Sequence, residues 1–266
     1  MRLFAATLAA TLLLAPQMMV LQTGAQDTPP ADAHGVLARP RQRLQTADFR
    51  ATGRLVRVDA KGARTSYPIT LKGHWFPGVL RLLCAIDAAG EARIHILLEM
   101  RPNGQDSIRI AHPGDKTPAV LPFEKWSEGP VEGIGPGFSF EDFLEAQYFW
   151  PGQKVLEKAK YGARICDLLK STSGPSDRTH YAQVETWLDH SIGYPVYVEK
   201  TIKATGKVKE FTYFGLRQKG GVWSASQVEA KIRGQAGSTL LIIDRGSTKA
   251  NLGLGDFSPE QLTRFN

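Results

Sequence analysis

The sequence predicts a mostly β protein with a few helices, built on a large curved antiparallel sheet. Three observations predict it. His180 to Asp244 is a ladder of short runs rich in Val, Ile, Tyr, Phe, Trp and Thr, each ending at Gly, Asp or Pro. Ile94, Ile96, Leu98 and Met100 alternate with Arg93, His95 and Glu99, which puts an apolar and a polar face on one strand. Val228, Ala230 and Ile232, opposed by Gln227, Glu229, Lys231 and Arg233, repeat that pattern near the C-terminus. A sheet apolar on one side must curl round that face or bury it under helices.

In chain order, Met1-Arg2 is a short positive start before the apolar runs Leu3 to Leu14 and Met18 to Leu21. Thr23-Gly24-Ala25 then offers small residues for cleavage, so residues 1–25 read as an export signal. Pro16 and Gln17 interrupt the apolar run, which makes an uncleaved membrane anchor the weaker reading. The expected location is the periplasm or cell envelope. Residues 26–47 read as a flexible leader, with a short helix starting after Pro40. Residues 48–266 read as a single β domain.

Within that domain, Ala51 to Val58 is a strand, and Asp59-Ala60-Lys61-Gly62 turns the chain into the next. His74 to Gly78 forms a corner carrying Trp75 and Pro77. Val79 to Ile86 and Glu91 to Met100 form a hairpin across Asp87-Ala88-Ala89-Gly90, and Ser107 to Ala111 adds a strand. Gly133 to Gly137 reads as a hinge into a helix over 139–149, capped by Ser139, with Phe140, Phe143, Leu144 and Ala146 as its apolar stripe. Trp150-Pro151 stops it. Ser258-Pro259 starts a last helical turn.

The net charge of +7 over 266 residues is scattered along strand faces and forms no dense basic block, so nucleic acid is not an expected partner. Cys84 and Cys166 are the only cysteines. In an oxidising compartment they could pair, closing a long loop worth roughly 4 kcal/mol; the alternative is two small buried thiols. No two of the six histidines stand three or four apart on a helical segment, so no metal site is expected. Gly137-Phe138-Ser139 lacks the closing glycine of a nucleophile elbow, and Gly133, Gly135 and Gly137 lack the last glycine of a dinucleotide loop. No cofactor and no catalytic residues are assigned, and the protein reads as a non-enzyme.

Six segments carry a family resemblance: Tyr181 to Asp189, with its Glu-Thr-Trp-Leu-Asp; Gly193 to Lys200; Gly206 to Gly215; Val222 to Ile232; Ser238 to Ile243; and Asp256 to Thr263. This pattern resembles the LolA-like, outer-membrane lipoprotein-sorting proteins. The resemblance implies a periplasmic protein whose curved sheet makes an incomplete, half barrel covered by short helices. It also implies lipid or lipoprotein acyl chains as partners, with transient contacts to a membrane surface or an envelope protein.

Residues and resemblance meet on one expectation, a dry groove between sheet and helical cover. An acyl chain of ~14–16 carbons gains about 0.8 kcal/mol per buried methylene, or roughly 11–13 kcal/mol. The expected lining is Ile94, Ile96, Leu98, Val228, Ala230 and Ile232 from the sheet, with Phe140, Phe143 and Leu144 from the cover. The alternative is a non-catalytic envelope scaffold in which the same residues are plain core.

Overall fold

The computed structural model describes residues 32–88, 93–131, 134 and 137–265, so the expected export signal lies outside the described residues. After an N-terminal helix come six strands: β1 (Asp48–Val58), β2 (Arg64–Phe76), β3 (Val79–Ile86), β4 (Ile94–Met100), β5 (Ser107–Ala111) and β6 (Ala119–Val120). After a cover segment follow β7 (Gly152–Tyr161), β8 (Arg164–Thr172), β9 (Tyr181–Asp189), β10 (Pro195–Ile202) and β11 (Val208–Phe214). A small hairpin of β12 (Arg217–Lys219) and β13 (Val222–Ser224) precedes β14 (Gln227–Ile232) and β15 (Ser238–Ser247).

Thirteen of these strands make one antiparallel sheet in the order β6-β5-β4-β3-β2-β1-β15-β14-β11-β10-β9-β8-β7. The sheet curves without closing, since β6 and β7 stand at its two edges. The expected hairpin pairs Leu82 with Leu98 and Cys84 with Ile96, so the apolar alternation of β4 does set its register. The inner face of the sheet forms the main core. A smaller cluster on the outer side joins Leu83 and Leu97 to Leu252, Phe257 and Leu262, beneath the C-terminal turn α2 (Pro259–Thr263).

β1 and β15 bring the first and last strands together at the centre, with a bulge between Thr52 and Gly53. A Cβ on Gly53 would lie 1.9 Å from the Ile242 carbonyl oxygen, so only glycine permits this approach.

The first helix, α1 (Ala33–Gln45), begins before Pro40 rather than after it. Asp32 caps it by accepting from the His34 N–H, and Leu37, Pro40 and Leu44 lie buried on one face. Burial of that stripe outweighs the backbone hydrogen bond that Pro40 does not make.

The helix expected over 139–149 is instead two 3₁₀ turns, Phe140–Phe143 and Ala146–Phe149, with Leu144 extended between them. Tertiary contacts override the local signal. The Ser139 N–H and hydroxyl both donate to Asp142 at 2.8 Å, the cap expected from the sequence. Yet the Asp142 carboxylate also accepts from Lys200 Nζ at 3.0 Å, Lys209 Nζ at 2.9 Å and the Tyr181 hydroxyl at 2.7 Å. Lys200 and Lys209 face each other on β10 and β11, so this single carboxylate pins the cover to two strands. Burial works against its charge, but the lysines outweigh burial and hold its pKa below the ordinary 3.8. At its other end the cover stacks Phe149 on Trp75 of β2, ring centres 5.9 Å apart.

Of the two readings of Cys84 and Cys166, the bond is not formed: both thiols are free and buried. Cys84 lies on β3 and Cys166 on β8, with seven strands between them in the sheet order. Strands step by about 4.8 Å and a disulfide needs Cα atoms within about 7 Å. Burial pushes the Cys166 thiol up to about 11.

Gly53→Ala should lower stability by about 2 kcal/mol, read as a reduced urea midpoint with an unchanged slope. Asp142→Asn leaves two buried ammonium groups without their carboxylate and should cost about 3–5 kcal/mol in the same measurement. Because the folded pKa of Asp142 is depressed, its contribution is present above pH 3.8 and is lost as pH falls below it. The variant should therefore show a shallower loss of stability on acidification than the wild type.

Candidate functional site

The cover is held to the sheet by Asp142, by the Phe149–Trp75 stack and by its buried Phe140, Leu144, Tyr148 and Trp150, yet beside it part of the inner face is not filled. A cavity of about 660 Å³ remains, bounded by β1–β3, β10, β11, β14, β15, the β12–β13 hairpin, α1 and the cover. Its walls are largely hydrocarbon: Leu44, Phe49, Leu71, Leu80, Leu82, Phe138, Phe143, Phe211, Val228, Leu241 and Ile243. Small residues make the room. Ala47 and Ala51 line the cavity where larger side chains would close it. The exposed residues Arg217, Gln218, Lys219, Asp244, Arg245 and Gly246 ring the outer end, beside the β12–β13 hairpin. Lys219 Nζ donates to the Gly246 carbonyl at 3.1 Å and ties that hairpin to β15.

Part of the wall is polar. Arg43 of α1 donates to Glu145 of the cover at 2.7 Å, and its guanidinium lies 4.9 Å from the Tyr194 ring centre. Burial opposes the Arg43 charge, yet the Glu145 carboxylate outweighs it and raises the pKa above the ordinary value. Burial raises the Tyr194 and Tyr213 phenols, keeping both neutral. The Tyr194 hydroxyl accepts from the Ala225 N–H at 3.1 Å, which fixes the start of β14 against the β9–β10 turn. Among the described residues, Arg43 Nε, Glu145 Oε1 and the Tyr148 hydroxyl have no hydrogen-bond partner. Lys200 and Asp142 also belong to the wall, so the ion cluster that pins the cover is part of the cavity.

Of the residues expected to line a groove, Phe143 and Val228 border this cavity. Ile94, Ile96, Leu98, Phe140, Leu144 and Ala230 are buried in the packed core and do not border it, and Ile232 stands half-buried on β14 away from it. The alternation on β4 reveals an inner face; whether neighbours fill that face depends on side chains from α1 and the cover. Arg43, Glu145, Tyr194, Lys200 and Tyr213 were not expected. Lys200 left one sequence signal, a lysine in phase with Val196 and Val198 on the apolar side of a strand. Among the described residues, no group of three His, Cys, Asp or Glu stands together as metal ligands, and no helix is long and apolar enough to cross a membrane.

Residues 133–264 match a protein family described only as uncharacterized. No curated protein matches the sequence. Among solved structures, a domain described as an outer membrane lipoprotein-sorting protein from Vibrio parahaemolyticus superposes with a TM-score of 0.75 at 20% identity, covering 88% of this chain and 100% of that one. A DUF1329 family protein from Desulfovibrio piger gives a TM-score of 0.75 at 12% identity, over 88% of this chain and 99% of its own. A LolA superfamily protein from Nitrosomonas europaea gives 0.65 at 15% identity, over 86% and 99%. With its open, curved antiparallel sheet and short helical cover, the chain has the LolA-like fold of the outer-membrane lipoprotein-sorting proteins.

Proposed function

We propose that this protein is an exported carrier that shelters a hydrocarbon chain of a lipid, or of an acylated protein, in the cavity between sheet and cover. One observation carries the reading: a volume of about 660 Å³ with mostly apolar walls persists inside an otherwise packed core. That size lies within the roughly 300–1,000 Å³ of small-molecule sites. A chain lying along the wall removes its own methylenes and the facing side chains from water, at about 0.8 kcal/mol per methylene. Release follows from movement of the cover, because an opened cover exposes the guest to water. The LolA-like fold supports the reading, as does the N-terminal sequence that reads as an export signal. Location in the periplasm or envelope belongs to the same proposal.

Organic extraction of the protein purified without detergent, followed by mass spectrometry, should recover long-chain lipid. After delipidation the protein should brighten an alkyl-chain fluorophore, and Val228→Trp, which projects an indole into the cavity, should weaken that binding at least ~10-fold while the melting temperature holds. Val228 is half-buried between Tyr213 and Leu241, so the substitution adds bulk at the wall rather than in the packed core. Binding that ignores the tryptophan would place the fluorophore elsewhere, and a delipidated protein that takes up no alkyl probe would end the carrier reading.

A further inference from the structure

Lysine seldom faces the apolar side of a sheet. On β10, Val196, Val198 and Lys200 share the inner face, and Lys200 is only 5% exposed. Its register partner on β11 is Lys209, also 5% exposed. Like charges placed directly opposite repel, and Asp142 between them carries a single negative charge. The neighbouring Glu141 does not complete the balance by direct contact. Its Oε2 accepts from the Thr179 hydroxyl at 3.2 Å and the His180 N–H at 3.1 Å.

The two lysines are not equally satisfied. Lys209 Nζ donates to Ser139 Oγ and to Asp142 Oδ2, both at 2.9 Å. Lys200 Nζ donates to Asp142 Oδ1 at 3.0 Å and otherwise sits 4.7 Å from the Phe211 ring centre and 5.1 Å from that of Tyr181. An ammonium has three N–H donors, so Lys200 keeps donor capacity in a nearly dry setting. Lys200 borders the cavity, whereas Lys209 does not.

We infer that the preferred guest is a single-chain amphiphile with a small anionic head, a long-chain carboxylate being the simplest, which enters head first and places the head against Lys200. The chain then runs along Phe211, Leu241 and Ile243 toward the exposed mouth. This inference rests on the carrier reading and narrows it. An acyl chain joined to a protein has no free carboxylate to lead with, so head-first binding favours the free acid over the acylated polypeptide. The buried surplus charge supplies the attraction, strengthened by the low dielectric of the site.

The test uses the delipidated full chain and displacement of an alkyl fluorophore at pH 8 by palmitate, methyl palmitate, an N-palmitoyl peptide, acetate and inorganic phosphate. Palmitate should displace at least ~10-fold better than methyl palmitate or the palmitoyl peptide, the range expected of a charge-assisted hydrogen bond. Acetate and phosphate should displace only at far higher concentration, since they lack the chain. Lys200→Met leaves Asp142 paired with Lys209, so it should fold, and it should shrink the ratio of acid to ester affinity, both measured on the variant itself, below ~3-fold. Equal affinity for acid and ester on the wild-type protein would overturn the inference while leaving the carrier reading intact. A gap abolished by Arg217→Ala with Arg245→Ala, but not by Lys200→Met, would overturn it by placing the head at the mouth. Failure of every alkyl probe would remove both readings. Should Lys200→Met not fold, the wild-type acid–ester comparison decides alone.

Discussion

Two ammonium groups stand opposite each other on the inner face of the sheet, and one carboxylate from the cover holds them together. Without Asp142 the pair Lys200–Lys209 would be an unbalanced double charge in the core. Without the lysines Asp142 would be a buried anion far from water. The Tyr181 hydroxyl and Ser139 complete the set, so the acid is satisfied from both the strand side and the cover side. This cluster explains why the segment before β7 folds as two short turns: Asp142 has to point into the sheet while Leu144, two residues on, is buried as well.

The polar cluster and the buried Phe140, Leu144, Tyr148 and Trp150 seat the cover over part of the inner face and leave the rest to be covered by whatever else reaches it. On the β4 side Ile94, Ile96 and Leu98 are fully enclosed. On the β1–β15 side Ala47 and Ala51 contribute little bulk, and the cavity opens there. The same cluster that attaches the cover therefore also supplies the cavity's buried polar end, while the mouth lies among exposed charged residues. A wall graded from buried ammonium through hydrocarbon to a wet rim matches the chemistry of an amphiphile better than that of a uniformly apolar guest.

The fold was legible because strand periodicity depends on sequence alone. The β3–β4 hairpin, the inner face of β4 and the C-terminal strand ladder all follow from alternation and turn residues, and the pairing of Leu82 with Leu98 follows from that alternation. Local signals misled where long-range contacts competed with them. Ser139 and Asp142 write a helix start, and the capping bonds do form, but the continuing helix is absent because Lys200 and Lys209 recruit the same carboxylate. Pro40 reads as a helix breaker, yet burial of Leu37 and Leu44 on either side of it carries α1 through. The two cysteines suggested a covalent bridge, and the strand order keeps them as separate buried thiols.

The sequence by itself determined the class of fold, the presence of one apolar sheet face and the strands of the β3–β4 hairpin, β5 and the C-terminal ladder, since each of these is set by residues near one another in the chain. Tertiary structure alone decided which part of that face stays unfilled. Packing density at a given strand position depends on side chains delivered from α1 and the cover, tens of residues away. Phe143 and Val228 therefore border the cavity while Ile96, equally apolar and equally well phased, is sealed in solid core.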